Sequence, residues 1–446
     1  ADSVDMIVTV NSALYAVSNG VRRDSLDHGD GTTTYSWHEG HPITTYLVSL
    51  AITNYARFTR WYRYGSDSMP VDFHSYPELL NTALTSWPVT VTQIEVLADL
   101  FGEYPFVDEK YGIAHFPWGG AMEHQTVSSH TSSSFGFDQY LTLHELSHQW
   151  WGDMITCQDW HHIWLNEGFA SYAEALWAEH LGGTTAYRNY MTSMQYFSGG
   201  RIYVDDTNSV GNIFSLRVYD KGAWVLHMLR GVLGDDSFFS VLRAYYADPR
   251  FQYKDAVTED FRDLAEVVSG RELDWLFEEW IYGYSYPQYY YSSVSRPRTD
   301  GGYDLFVRLR QAQTTVPQSF LMPVELVRAY GSTTDTVSIW NDRREQDLHF
   351  VVPSSGSITA IDPENWILDK TFTEAYGLQL VSDSFVDAYQ YSPYADSLIA
   401  ASTNPATPIT FTLVSGALPA GLTLNSATGQ VTGISLDTLD ATVTAR

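Results

Sequence analysis

Two segments constrain this chain more than any others: HELSHQWWGD at residues 144–153 and WLNEGFASY at residues 164–172. Both lie in stretches whose apolar residues recur at three- and four-residue spacing, which predicts helices. On a helix, His144 and His148 stand one above the other on a single face, with Glu145 beside the first. Glu167 follows His148 with eighteen residues between. A helix, a loop and a second helix of that length can turn this carboxylate back onto the histidine pair.

Two imidazoles and a carboxylate with a position left open for water are the ligand set of a catalytic zinc ion. The expectation is one Zn2+ per chain, held by His144, His148 and Glu167. Glu145 would then be the general base, taking a proton from the attacking water. The competing reading places each of these residues on an ordinary helix surface. Glu167 and the apolar flanks of both segments weigh against it.

The bulk numbers set the frame. With 446 residues the chain exceeds what one hydrophobic core spans, and 44% hydrophobic and 15% aromatic content supports well-packed cores. Asp and Glu outnumber Lys and Arg by 53 to 25, a net charge of −28 that repels nucleic acid and anionic membranes. No apolar run approaches eighteen residues, so no membrane span is expected. The single cysteine, Cys157, cannot form an intrachain disulfide and is read as structural. The start, ADSVDMIVTV, has no signal-peptide pattern and reads as the middle of a domain.

Along the chain, VDMIVTV, TTTYSWHEG and TTYLVSLAIT are strand-like, and the pattern turns helical from about residue 75. YGIAHFPWGGAMEHQT interrupts the helices as a strand running into a glycine-rich bend. After residue 286 the segments YDLFVRLRQ, MPVELVRAY, TVSIWN and DLHFVV are spaced like strands of a small sandwich. Beyond about residue 383 the Ser/Thr/Gly/Ala-rich tone suggests a further β module.

HELSHQWWGD followed by WLNEGFASY closely resembles the gluzincin zinc aminopeptidases of the aminopeptidase N family. GGAMEHQT at 119–126 is similar to that family's Gly-Ala-Met-Glu-Asn signature, with His124 in place of Asn. VYDKGAWVLHML at 218–229 resembles its tyrosine motif, and FEEWIYGYSYPQY at 277–289 the end of its catalytic domain. The resemblance implies a multidomain α+β protein. A thermolysin-like, mostly helical zinc-peptidase domain over 63–283 is flanked by part of a β-saddle domain over 1–62 and by C-terminal β-sandwich modules, a sandwich over 284–376 and an immunoglobulin-like module over 377–446.

It also implies a zinc-dependent aminopeptidase acting on peptides with a free N-terminus. Glu123 would pair with the substrate's α-ammonium, Tyr219 would donate to the oxyanion, and Gly120 and Ala121 would offer backbone groups. Family members begin with a longer saddle domain whose upstream motif supplies a second amine-binding residue, so an upstream segment of the same protein is an expected partner. The absence of a helical roof after the sandwich leaves an open-cleft endopeptidase as an alternative. A surface-binding protein with a vestigial peptidase domain is a weaker one, because every catalytic residue type remains. The last module resembles immunoglobulin-like domains of bacterial surface and secreted proteins, which favours a secreted or cell-surface location and attachment to cells or polymers.

Two further residue groups take the plainer reading. His161 and His162 are expected as an exposed pair, and Glu174 on the helix surface, although it shares Glu167's face and could orient a histidine ligand.

Overall fold

The computed structural model describes residues 1–375 and, beyond them, 379–380, 393–398, 400–401, 410–415, 417–436 and 444–445. It divides into two compact units, one of residues 1–285 with 365–368, the other of residues 286–364 with those from 369 on.

The first unit opens with strands β1 (Val4–Asn11), β2 (Tyr15–Ser18), β3 (Val21–Asp27) and β4 (Thr32–Glu39), followed by β5 (Leu50–Thr53). β1, β4 and β3 form an antiparallel sheet, and β2 pairs with β5. β4 alternates strictly, burying Thr33, Tyr35, Trp37 and Glu39, because successive side chains of a strand point to opposite faces. Tyr35 and Trp37 pack with Tyr15, Ala16 and Val17 of β2 into one apolar cluster that also takes Ala114 and Val127.

A mixed sheet then carries the chain toward the site. β6 (Ala56–Tyr64), β7 (Asp67–Ser75), β8 (Tyr111–Phe116), β9 (Ala121–Met122) and β10 (Ser128–Thr131) lie in the order β6-β7-β8-β10-β9. β7, β8 and β10 run parallel and β9 returns antiparallel along β10, so two-residue β9 is an edge strand. The extended stretch and glycine-rich bend expected around GGAMEHQT are this edge.

The helices α1 (Leu80–Ser86), α2 (Val89–Phe101), α3 (Gln139–Ser147) and α4 (Trp164–Ser193) belong to the same unit. Asp138 caps α3, its side chain accepting hydrogen bonds from the Tyr140 and Leu141 amides. α3 stops sooner than the helical pattern through Trp151 suggested. The chain turns at Gly152, whose φ of 144° is open to glycine, and a Cβ there would stand 3.1 Å from His148 Nδ1. β11 (Ile155–Cys157) leads back into α4, which breaks at Gly182 and Gly183.

After α5 (Val210–Ile213), a wide π-helical turn over Arg217–Lys221 runs into α6 (Gly222–Leu233). α6 meets α4 at a glycine pair. A Cβ on Gly222 would lie 3.0 Å from the Gly168 Cα, and one on Gly168 would lie 3.0 Å from the Gly222 Cα. This contact is one residue from Glu167 and three from Tyr219, so the absence of two side chains sets how closely those residues approach. α7 (Asp235–Ala247), β12 (Lys254–Ala256), α8 (Thr258–Ser269) and α9 (Asp274–Trp280) complete the unit, with β12 parallel to β11.

In the second unit β13 (Gln288–Pro297), β14 (Tyr303–Gln311), β17 (Glu345–Val352) and β19 (Lys370–Thr373) form one sheet. β15 (Met322–Tyr330), β16 (Thr333–Asn341) and β18 (Gly356–Ile361) form another. Leu305, Val307 and Leu309 of the first sheet and Val324 and Leu326 of the second are fully buried. Strands Pro393–Ser397, Leu422–Leu424 and Gln430–Ile434 form a further three-stranded sheet.

Gly222→Ala should lower stability by about 1–3 kcal/mol, the cost of overpacking, although alanine is the better helix former. Urea unfolding measures it, and an unchanged or higher midpoint would show that the α4–α6 crossing is not tight.

Candidate metal centre and its cleft

The three expected metal ligands converge. His144 Nε2 and His148 Nε2 each lie 3.3 Å from Glu167 Oε2, and all three residues are buried. α3 places the two imidazoles on one face, and the first turn of α4 delivers the carboxylate. The rest of each ring is fixed from behind. His144 Nδ1 is 2.7 Å from Glu174 Oε1, and His148 Nδ1 is 3.1 Å from the Trp151 carbonyl oxygen. Both partners accept, so each Nδ1 carries a proton and each Nε2 is the atom turned toward Glu167.

Two ring nitrogens and a carboxylate oxygen converging out of water are held together by positive charge among them, a metal cation or protons on the rings. The donor set of two nitrogens and one oxygen suits zinc. The residues present therefore fit the metal. A second acidic group among the described residues, Glu266, Glu272 and Asp274, is more exposed, and Glu266 Oε1 already accepts from the Leu273 and Asp274 amides.

Burial alone would raise the Glu167 carboxyl, but the two imidazoles outweigh it and hold the group at about 2. Glu145, also buried, moves the other way. Desolvation and the charges of Glu123 and Glu167 lift it to about 8 against the opposing histidines. Burial likewise raises Glu123, with Glu167 adding to it and His148 opposing. The Tyr219 hydroxyl is pushed up by burial and then by Glu167, Glu123 and Glu145, which keeps it a proton donor at neutral pH. Its ring stacks on His144 with centroids 5.9 Å apart.

A cavity of about 520 Å³ opens over these groups. Ala121, Glu123, His144, Glu145, His148, Glu167 and Tyr219 all line it. Gly120 does not, although its φ of 89° is one that glycine favours and a Cβ there would meet nothing within 4 Å. Glu174 is no free surface residue. It is half-buried, bonded to His144, and accepts a second, short hydrogen bond from the Tyr190 hydroxyl. The expected exposed histidine pair is also corrected: His162 is buried, with Nδ1 2.8 Å from Thr258 Oγ1, and His161 is half-buried, its Nδ1 bonded to the Val204 carbonyl. Cys157 is buried and its thiol pushed up to about 12, chiefly by desolvation.

Sequence reasoning missed Gln149. It is fully buried, its Nε2 donates to the Glu123 carbonyl, and its Oε1 accepts from the Thr126 amide at 2.8 Å. Thr126 sits at φ 62°, a conformation costly for a β-branched residue, and is held there by Gln149 and by Lys110 Nζ on its carbonyl. The segment after β9 that carries Glu123 is thus pinned to α3's end. The signal was Gln149's place directly after His148. Asp153 was also missed, and both of its buried carboxylate oxygens lack hydrogen-bond partners among the described residues.

Residues 89–280 match the Peptidase family M1 domain, and residues 378–446 the Putative Ig domain. Aminopeptidase M1-B of Oryza sativa subsp. japonica is 28% identical over 312 residues, covering 64% of this chain and 34% of that protein. Glutamyl aminopeptidase of Sus scrofa is 27% identical over 297 residues, covering 60% and 30%. The chain thus spans about a third of the length of these curated relatives. Among solved structures, Legionella pneumophila aminopeptidase A in complex with aspartic acid superposes with a TM-score of 0.73 over 84% of this chain and 45% of that one. At 17% identity this likeness speaks to fold alone. A mutant of the M1 zinc metallopeptidase of Deinococcus radiodurans bound to a Tyr-Ser-Ala substrate is 27% identical, with a TM-score of 0.54, covering 64% and 65%.

Exhaustive dialysis followed by metal analysis should find zinc retained by the native chain and lost from His148→Ala. Glu174→Gln should bind zinc about 10–100-fold more weakly in chelator competition, because the His144 ring loses a charged partner. Stoichiometric zinc in the His148 variant would remove it from the ligand set.

Proposed function

Since residues 89–280 match the Peptidase family M1 domain, we propose that the chain is a zinc aminopeptidase that releases the first residue of peptides with a free N-terminus. The observation that carries the reading is Glu123. Its carboxylate is buried in the wall of the same cavity as the ligand trio, and among the described residues no side chain hydrogen-bonds to it. A desolvated carboxylate without a side-chain partner is the complement of an α-ammonium. An acylated N-terminus would leave it unpaired.

His144, His148 and Glu167 would hold the zinc, which when bound supplies a Lewis acid for the scissile carbonyl and the attacking water. Glu145 takes one proton from that water on its carboxylate and passes it to the departing amine as the C–N bond breaks. The Tyr219 phenol donates a hydrogen bond to the carbonyl oxygen as charge builds on it. Ala121, on the edge strand, offers backbone groups to the substrate, and Gly120 allows the bend that leads into it. Glu123 fixes the amine, and with it which bond reaches Glu145.

The match of residues 378–446 to an Ig domain supports a second part of the proposal: the module serves attachment to a cell surface or polymer, and the protein works secreted or at the cell surface. No helix among the described residues is long and apolar enough to cross a membrane.

Glu145→Gln should keep its zinc and lose turnover, since an amide cannot accept the proton. Glu123→Ala should depress cleavage of free aminoacyl-arylamides and hardly change their N-acetylated counterparts, narrowing the ratio between them. Equal loss on both classes would make Glu123 a structural carboxylate and remove the basis for an aminopeptidase.

A further inference from the structure

The five-stranded sheet has two edges, and the proposed chemistry draws only on β9. The opposite edge is β6, which pairs with β7 alone and lies about 19 Å across the sheet from β9. Its sequence, ARFTRWYRY, carries Arg57, Arg60 and Arg63 and no acid, in a chain where acids outnumber bases by 53 to 25. All three arginines are exposed, and among the described residues no carboxylate pairs with them. Arginines elsewhere are held by acids: Arg230 by Glu179, Arg298 by Asp304 and Arg328 by Asp335. Arg57 instead lies 3.9 Å over the Tyr15 ring, and Arg60 lies 5.3 Å over Phe58.

Side chains of a strand alternate, so Arg57, Thr59, Trp61 and Arg63 share one face of β6. The other face is the core side, where Tyr62 is buried and Phe58 stacks on Phe73. On the first face the Trp61 indole is 57% exposed, between two arginines about 20 Å apart along the strand. Asp72 sits one strand inward, on β7, and its Oδ1 accepts from the Thr59 hydroxyl. Charged side chains on an edge guard against stray strand pairing. Guarding alone does not call for a large apolar ring beside them, whereas an indole flanked by unpaired cations complements a strand that is apolar and acidic. At physiological salt the charge of −28 is screened beyond about 8 Å, so the local arginines decide what approaches this edge.

We propose that β6 is a docking edge for an extended acidic peptide segment of a partner protein, which joins the sheet as a further strand. The segment's backbone takes the open amides and carbonyls of β6. Its carboxylates pair with Arg57 and Arg63, and an apolar residue between them covers Trp61. The inference is independent of the peptidase reading, since no group of the metal centre takes part.

The whole chain is titrated, by fluorescence anisotropy, against labelled Glu-Thr-Val-Glu-Val-Thr-Glu, which is blocked at both ends and reads alike in either direction. Binding should be saturable and should weaken on the order of 10-fold in Arg57→Gln/Arg63→Gln and in Trp61→Ala. Thermal melts check that these variants fold, and Arg63→Gln alone, weakening binding severalfold, replaces the double variant if loss of the Arg57–Tyr15 contact unfolds it. Lys-Thr-Val-Lys-Val-Thr-Lys should not bind. Glu-Pro-Pro-Glu-Pro-Pro-Glu keeps the charges but lacks the amides for strand pairing, and should bind at least about 10-fold more weakly. Absence of binding by the acidic peptide, or binding unmoved by the substitutions, overturns the proposal. Equal binding of the proline peptide, or of a short single-stranded DNA, overturns it as well, because charge alone would then account for the affinity. So does a dimer of the chain that the arginine substitutions dissolve, since the occupant of the edge would be a second copy.

Discussion

Three electron-pair donors pointed at one buried spot are the constraint on which this structure turns. His144 Nε2, His148 Nε2 and Glu167 Oε2 meet at a buried spot whose chemistry suits a shared cation. Everything around them keeps that arrangement in place. Glu174 and the Trp151 carbonyl hold the outer ring nitrogens, Gly152 lets the chain turn tightly beside His148, and the Gly168–Gly222 contact draws α6 against α4. Without those supports the imidazoles could rotate, and a site misplaced by an ångström loses much of its chemistry.

The cleft is strongly acidic in a chain already at −28. Glu123, Glu145, Glu167 and Glu174 all line one cavity. Their environments push them apart: Glu167 is held down by two histidines, while burial lifts Glu145 and Glu123. That divergence suits similar side chains to the proposed ligand, base and anchor roles within one pocket. Gln149, a neutral side chain, fixes the Glu123 segment without adding charge to the cluster.

Much of this was legible before the fold. The four-residue spacing of the histidines and the apolar periodicity around them predict α3 and the first part of α4, and both are present. The β character of the first sixty residues and of the stretch after residue 286 is also found. The limits of local pattern show at the helix ends. α3 stops at Ser147 because the chain must turn at Gly152 to pass beside His148, and α4 runs on through a glycine break to Ser193. The turn bearing Tyr219 is π-helical rather than a regular start to α6, which periodicity does not anticipate.

Sequence by itself determined the chemistry available: which residues can bind a metal, which can move a proton, and that a carboxylate follows β9 as a possible amine partner. Those properties belong to side-chain types and short spacings, and survive in any reasonable fold. Only tertiary structure decided which of them work together. Glu174 reaches His144 from a position 30 residues along the chain, and Gln149 reaches Glu123 from 26, so neither pairing has a local signature. Long-range contacts of this kind depend on how helices and strands pack, and packing is settled by the shape of the whole interior rather than by any segment read alone.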